Sequence, residues 1–189
     1  MMSATSPEIT PGYRSCGYDA RVALSDLSRI LPRPRLLVPL LPGSKAPACA
    51  GWAEGPAFNG NHATMLERFT GETGIGLVCG AASGGLCFVD VDCDEAVREF
   101  EGKIPVLKSA PIVIGSRGLK WLVRTLEPIR GFALKNEAGR KVGEFLSHRQ
   151  QGVVAGLHPV NGHPYKWVNV GPVPLVDPLD FQSSGPNHP

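Results

Sequence analysis

Residues 86–94 read LCFVDVDCD, an apolar run that leads directly into two aspartates. Because the side chains of a β-strand alternate between its two faces, Asp90 and Asp92 are predicted to point the same way. Two carboxylates this close repel each other unless a cation lies between them, and carboxylate oxygens are ligands that Mg²⁺ and Mn²⁺ prefer. The stretch therefore predicts a strand that carries a metal-binding pair. The alternative is a solvated strand end at which Asp92 or Asp94 caps the following helix.

Short apolar runs on both sides of this stretch predict a protein rich in strands. Three pairs of runs are separated by only a few turn residues and are predicted to form hairpins: 74–80 with 85–92, 111–116 with 119–124, and 141–147 with 151–156. Further strands are predicted at 35–42 and 165–168, and helices at about 18–31, 62–70 and 93–102. The fold class that follows is α+β.

The composition is that of a globular chain. The sequence has 189 residues, of which 42% are hydrophobic and 19% are charged, so a packed core is expected and wholesale disorder is not. Its 23 glycines and 18 prolines exclude a helical bundle or a coiled coil. The formal net charge is only +2, so any binding of nucleic acid has to come from a local groove.

The cysteines and the chain ends indicate the cellular compartment and the limits of the domain. Five cysteines without a CxxC pair indicate reduced thiols rather than disulfides or a zinc site. The sequence has no signal-peptide pattern and no apolar run of membrane-spanning length, so we expect a cytoplasmic protein with no membrane partner. Residues 1–17 are predicted to be a flexible segment, 18–171 one domain, and 172–189 a Pro-rich linker.

Further candidate residues lie outside the aspartate strand. Glu144 is embedded in the apolar run KVGEFLS, where an acid is costly unless it is paired or ligated; the alternative is an outward-facing residue on a half-exposed strand. Arg117 and Lys120 flank a tight turn and suit a phosphate clamp, or are simply solvated. His158 follows an apolar strand and either contacts a phosphate or sugar or is structural. Lys45, in PGSKAP, lacks the spacing of a P-loop.

The order of these motifs resembles the primase-polymerase (Prim-Pol) domain of the archaeo-eukaryotic primase superfamily, in the form found in phage and plasmid replication proteins. The segments that carry the resemblance are GSKAP followed by GW, GIGLVCG with GLCFVDVD, the hairpin SRGLKWLV, and VGEFLSHRQQGVVAGLHPVNGHPYKW. They cover about residues 18–170. The resemblance implies an RRM-like catalytic core, in which helices flank a mixed or antiparallel central sheet and the acids share one sheet face.

The resemblance also implies roles for individual residues. The metal ligands that it implies are Asp90, Asp92 and Glu144, in a two-metal site for Mg²⁺ or Mn²⁺. The nucleotide-binding residues that it implies are Ser116, Arg117, Lys120, His158 and Lys45. The second family motif usually ends in His, and Lys120 stands in that place here. A lysine can still neutralise a phosphate, but as a point charge that does not switch near neutral pH.

The activity that the resemblance implies is template-directed, two-metal nucleotidyl transfer from nucleoside triphosphates on single-stranded DNA. A helicase module C-terminal to this region is the usual neighbour in the family. Two alternatives remain open: a Prim-Pol fold kept for nucleotide or single-strand binding without catalysis, and a metal-dependent nuclease, since a DxD…E set also serves phosphodiester hydrolysis. Trp52, Trp121 and Trp167 are candidate surfaces for stacked bases, or belong to the core.

Overall fold

The structure, a computed structural model, describes residues 8–14, 17–53 and 67–182. Within those residues the helices are α1 (Ala20–Ile30) and α2 (Asp94–Lys103). The strands are β1 (Tyr13–Arg14), β2 (Gly17–Tyr18), β3 (Leu36–Pro39), β4 (Ile75–Val78), β5 (Leu86–Val91), β6 (Ile112–Ile114), β7 (Leu119–Arg124), β8 (Phe132–Lys135), β9 (Lys141–Leu146), β10 (Gln151–Ala155) and β11 (Lys166–Val168). The helix predicted at 62–70 falls largely outside the described residues, and residues 67–70 are not helical.

The larger sheet places the aspartate strand near its centre. Its six strands run in the order β11-β6-β7-β5-β9-β8, and every neighbouring pair is antiparallel. The predicted hairpin of 111–116 with 119–124 is present as β6 and β7. The strand predicted at 165–168 is β11, which pairs with β6. The α+β class with an antiparallel central sheet is therefore confirmed.

The other two predicted hairpins are wrong, because their strands belong to different sheets. A second antiparallel sheet has the order β10-β4-β3, whereas β5 and β9 lie in the larger sheet. A 3₁₀ turn at Ala81–Ser83 carries the chain from one sheet to the other, with a single bridge between Gly80 and Leu86. A short turn between two apolar runs does not reveal whether the runs pair, and β4 and the apolar part of β10 are buried on both faces.

Alternation along β5 separates two hydrophobic cores. Leu86 and Phe88 face the first core, which α1 and the smaller sheet complete. Cys87 and Val89 face the second core, which α2 covers. Asp90 continues the series of Leu86 and Phe88, so its side chain lies on the face of the smaller sheet, where the apolar contact gives way to a cavity.

The residues that cap the two helices differ from the sequence-based alternative, in which Asp92 or Asp94 caps the second helix. Asp19 caps α1, because its carboxylate accepts hydrogen bonds from two backbone N–H groups of the first turn at 2.8 and 3.0 Å. Cys93 occupies the same position before α2 but makes no capping side-chain hydrogen bond. Neither Asp92 nor Asp94 is therefore the cap of α2. Asp94 lies in the first turn, where its charge favours the helix dipole, and Asp92 lines the cavity.

The described residues near the N-terminus are tied to the fold. Ile9 exchanges backbone hydrogen bonds of 2.8 and 2.7 Å with Trp167. The guanidinium of Arg14 lies 2.9 Å from the carboxylate of Asp26, which also accepts a hydrogen bond from the N–H of Gly12 at 3.0 Å. Residues 8–14 are thus held by contacts of both backbone and side chains.

Residues 172–182 pack against the two cores, with Val173 on the first and Val176 and Phe181 on the second, although their composition predicted a linker. The N–H of Arg124 donates to the carbonyl of Pro174 at 2.8 Å, and the N–H of Val176 donates to the carbonyl of Arg124 at 2.9 Å. The ring of Phe181 is buried and lies 5.3 Å from the ring of Phe145. A few such anchors hold a Pro-rich segment that has no periodic pattern, so the packed structure extends beyond residue 171.

Replacing Phe181 with Ala should destabilise the protein by about 3–5 kcal/mol, the usual cost of truncating a buried Phe. The measurement is the free energy of unfolding in urea. Leu179→Ala is the matched control, because Leu179 lies in the same 3₁₀ turn (Pro178–Phe181) and is 66% exposed. The control should change stability by less than about 1 kcal/mol. Equal, small effects of both substitutions would mean that the segment does not pack as described.

Candidate active site

A cavity of about 440 Å³ opens at the end of β5. Its lining brings together two of the predicted metal ligands and all of the predicted nucleotide-binding residues: Asp90, Asp92, Lys45, Ser116, Arg117, Lys120 and His158. These residues come from four separate stretches of the sequence. The larger sheet supplies Asp90 and Lys120, and the segments that follow or connect the strands supply the rest.

Asp90 lies between a cation and an acid on neighbouring strands. It is directly opposite Lys120 on β7 and directly opposite Glu144 on β9, so the three side chains share one sheet face. Burial raises the pKa of the Asp90 carboxyl; Lys120 opposes that shift, and the negative charges of Asp92 and Glu144 add to it. No residue in the described ranges donates a hydrogen bond to this carboxylate, so its charge is poorly compensated.

The other two acids turn toward exposed cations. Asp92 lies 3.5 Å from the guanidinium of Arg117, and Glu144 lies 2.6 Å from the ammonium of Lys141. The structure places Glu144 beside Asp90 in the sheet register, as predicted, but its side chain is not part of the cavity lining. Across residues 8–14, 17–53 and 67–182, no group of three His, Cys, Asp or Glu side chains is arranged to hold a metal.

The donors nevertheless fit a hard divalent cation. The Asp90 carboxylate has vacant acceptor positions within the described part of the chain, and carboxylate oxygens are the ligand type that Mg²⁺ and Mn²⁺ take. The pairs of Asp92 with Arg117 and of Glu144 with Lys141 involve side chains that are about half or more exposed. Such exposed pairs contribute about 0–1 kcal/mol, so a cation can displace them.

Two glycines allow neighbouring backbone to approach the end of β5. Gly118, in the turn between β6 and β7, has φ +56°, and a Cβ there would overlap the carbonyl oxygen of Val91. Gly143 on β9 lies against Asp90 in the same way, since a Cβ would overlap the Asp90 carbonyl oxygen. Without a Cβ at these positions, the chain brings Arg117 and Glu144 close to the aspartates.

Ser116 and His158 form a hydrogen-bonded pair at one side of the cavity. The hydroxyl of Ser116 lies 3.2 Å from Nε2 of His158, and the N–H of Val160 donates to Nδ1 at 3.3 Å. Because Nδ1 accepts, the neutral ring carries its proton on Nε2 and donates it to Ser116. Burial lowers the pKa of His158, and the charges of Lys45 and Lys120 lower it further. The serine hydroxyl hydrogen is then available to donate to an anion.

Lys120 is a buried cation without an anionic partner in contact. Its side chain is 8% exposed, and its ammonium lies 4.9 Å from the centre of the Tyr165 ring. No carboxylate among the described residues comes within 4.0 Å of it. Burial lowers the pKa of Lys120, and the charge of Asp90 opposes that shift. A buried ammonium in this setting is suited to receive an anionic group from a ligand.

Gln151 connects the predicted basic loop to the smaller sheet, and the sequence interpretation missed it. The side-chain amide of Gln151 on β10 donates to the backbone carbonyl of Lys45 at 2.7 Å. Lys45 itself is exposed and lines the cavity. No motif marks Gln151, because its role depends on β10 lying in the smaller sheet with β4 and β3.

Replacing Gln151 with Met removes this donor and keeps a side chain of similar length. We expect about 5-fold weaker binding of a nucleoside triphosphate, the equivalent of one hydrogen bond of about 1 kcal/mol. The measurement is isothermal titration calorimetry on the wild type, Gln151→Met, Lys45→Met and the double variant. If Gln151 acts by placing Lys45, Gln151→Met should have little effect once Lys45 is gone. Fully additive losses would contradict that role.

The structure also shows how far each of the three tryptophans is buried. Trp121 and Trp167 are fully buried, so their interpretation as stacking surfaces is wrong and both belong to the cores. Trp52 is partly buried against the first core. Tyr165, which the sequence interpretation did not single out, lines the cavity with its ring 1% exposed.

The fold and the cavity define a class of protein: an antiparallel α+β sheet that presents carboxylates and cations together at the end of a central strand. Comparison with known protein families gives a match to the N-terminal domain of bifunctional DNA primase/polymerases over residues 34–179. The chain belongs to this Prim-Pol family, and the resemblance read from the motifs is confirmed. No curated protein matches the sequence.

Family membership supports a primase/polymerase domain of DNA replication. The family is generally metal-dependent, and its activity implies binding of nucleoside triphosphates and single-stranded DNA. In the part of the chain that the structure describes, no helix is long and apolar enough to cross a membrane.

Proposed function

We propose that this domain catalyses template-directed transfer of nucleotides on single-stranded DNA, with the reaction centre at Asp90. The observation that supports this most directly is the convergence of Asp90, Asp92 and the predicted phosphate-binding residues on one cavity. Carboxylates for a divalent cation and cations for a triphosphate are both needed for nucleotidyl transfer. A cavity without a binding role is not expected to be lined by carboxylates and basic side chains together.

In this proposal the acids hold the divalent cations, and the basic side chains bind the triphosphate. Asp90 and Asp92, together with Glu144 after it leaves Lys141, would hold Mg²⁺ or Mn²⁺. The bound cations would supply Lewis acidity that activates a 3′-hydroxyl and stabilises the pyrophosphate leaving group. Lys120 and Arg117 offset negative charge on the triphosphate, and the Ser116 hydroxyl donates to one of its oxygens.

The template is proposed to lie outside this cavity and to be held mainly through its backbone. The net charge of +2 is too small for a protein-wide attraction, so local basic residues have to bind the phosphates. The phage or plasmid setting and a C-terminal helicase module are proposed on the resemblance alone.

A template-directed extension assay tests the proposal. The wild-type chain is incubated with a primed or unprimed single strand, ribo- or deoxynucleoside triphosphates, and Mg²⁺ or Mn²⁺. Incorporation that follows the template sequence and stops when EDTA is added is the expected result. Metal-dependent nicking of the strand without nucleotides would instead indicate a nuclease.

A second candidate is a Prim-Pol domain that binds nucleotides without catalysis. It is favoured by the ion pairs that occupy Asp92 and Glu144, and by Lys120 in the place where the family usually has His. Metal-dependent binding of a non-hydrolysable triphosphate, combined with no extension on any template, would select this candidate over the first.

A further inference from the structure

The ring of Tyr165 lies against two of the candidate phosphate-binding residues and against the residue that precedes a third. The Lys120 ammonium lies 4.9 Å from the ring centre, and the His158 ring lies 6.0 Å from it in a tilted arrangement. Gly115, the residue before Ser116, packs so closely on the ring that a Cβ would come 2.9 Å from Cε1. One buried aromatic side chain thus contacts Lys120, His158 and the residue that precedes Ser116.

The contact with the Tyr165 ring stabilises the Lys120 ammonium where an ion pair is absent. The ammonium is buried, and among the described residues it has neither a hydrogen-bond acceptor nor a carboxylate within 4.0 Å. A cation above the face of an aromatic ring is attracted by the negative charge of the π-system, and the attraction is larger where water is excluded. The Tyr165 ring therefore holds the ammonium at the cavity and leaves its hydrogen atoms unused.

The Tyr165 hydroxyl does not explain the burial of this residue. It has no hydrogen-bond partner within the described part of the chain, which is a cost to stability rather than a contribution. Lys120 lies over one face of the ring and Gly115 against an edge, so that face is not open to a nucleotide base. The contacts of Tyr165 with the phosphate-binding residues are therefore made by its aromatic ring and not by its hydroxyl.

We propose that Tyr165 is a positioning residue for triphosphate binding, which acts by holding the Lys120 ammonium over its ring. This inference rests on the proposed nucleotide site, because it assigns Lys120 to the phosphates. It predicts that the ring matters and the hydroxyl does not. It also predicts that the ring has no effect on binding once the ammonium is gone.

The experiment is a double-mutant cycle of Tyr165→Leu and Lys120→Met, with Tyr165→Phe as the conservative variant. Affinities are measured by calorimetry with Mg²⁺ for two probes, a non-hydrolysable deoxynucleoside triphosphate and inorganic tripolyphosphate. Tyr165→Leu should weaken the binding of both probes by about 10-fold, the size expected for a desolvated cation–π contact. Tyr165→Phe should bind both probes as the wild type does. In the Lys120→Met background, Tyr165→Leu should change binding by less than about 2-fold.

Thermal unfolding separates positioning from a general loss of packing. Phe69→Leu is the control, because Phe69 is a buried aromatic residue of the same core and does not line the cavity. It should lower the melting temperature without weakening the binding of either probe. Tyr165→Phe should keep or raise the melting temperature, since it removes an unpartnered hydroxyl.

Three results would overturn the inference while leaving the proposed function intact. These are additive losses in the cycle, a loss of affinity in Tyr165→Phe equal to that in Tyr165→Leu, and a loss confined to the nucleotide with tripolyphosphate unaffected. The last would mean that the ring contacts the sugar or the base. If the wild type binds neither probe with Mg²⁺, the proposed nucleotide site itself is wrong and the inference falls with it.

Discussion

Asp90→Asn should lower the rate of nucleotide addition by about a thousandfold or more while the protein remains folded. The substitution keeps the shape of the side chain and removes the charge that would bind a divalent cation. A bound cation supplies several kcal/mol of transition-state stabilisation, and each 1.36 kcal/mol corresponds to a factor of ten in rate. Because burial raises the pKa of the Asp90 carboxyl, its ionised form destabilises the folded chain. The apo variant should therefore unfold at the same temperature as the wild type or higher.

The measurement combines primer extension with thermal unfolding. Asp94→Asn is the matched control, because Asp94 carries the same charge four residues further along the chain and is exposed in the first turn of α2. The control should retain extension close to that of the wild type. An Asp90→Asn variant with more than about a tenth of wild-type activity would remove Asp90 from the proposed metal site. Loss of activity together with unfolding would leave Asp90 as a structural residue.

Strand alternation made the centre of the site predictable from sequence. In LCFVDV the apolar residues alternate between the two cores, so the face on which Asp90 lies follows from the apolar pattern that precedes it. The hairpin of β6 and β7 was also predictable, because its turn is short and contains Gly118. With Lys120 on β7, these local features place a cation beside the acids.

The arrangement of the two sheets was not predictable in the same way. The turn near Gly80 and the turn between β9 and β10 look like hairpin turns, yet each joins strands of different sheets. Only the packing of the whole chain decides that β10 lies beside β4. The contacts of Gln151 with Lys45 and of Tyr165 with Lys120 depend on that packing, since their partners are distant in sequence. Long-range contacts of this kind leave no local pattern.

Lys120→Met should change the affinities for nucleotide and for metal ion in opposite directions. Removing the buried ammonium takes away a charge-assisted contact of about 1.5–3 kcal/mol, so triphosphate binding should weaken by about 10- to 100-fold. The same change removes the cation that offsets Asp90, whose other neighbour across the sheet is the acid Glu144. The affinity for Mn²⁺ in the absence of nucleotide should therefore rise, because the metal ion no longer meets the repulsion of a neighbouring ammonium at the carboxylates.

Calorimetric titrations with Mn²⁺ alone and with a non-hydrolysable triphosphate measure both effects on the same variant. Lys108→Met is the matched control, because Lys108 is exposed in the 3₁₀ turn at Pro105–Ser109 and does not line the cavity. It should leave both affinities unchanged. If both affinities fall in Lys120→Met, the cavity has collapsed rather than lost a charge. If nucleotide affinity holds while Mn²⁺ binds more tightly, Lys120 serves only as the counterion of Asp90, and the triphosphate depends on Arg117 and Lys45 instead.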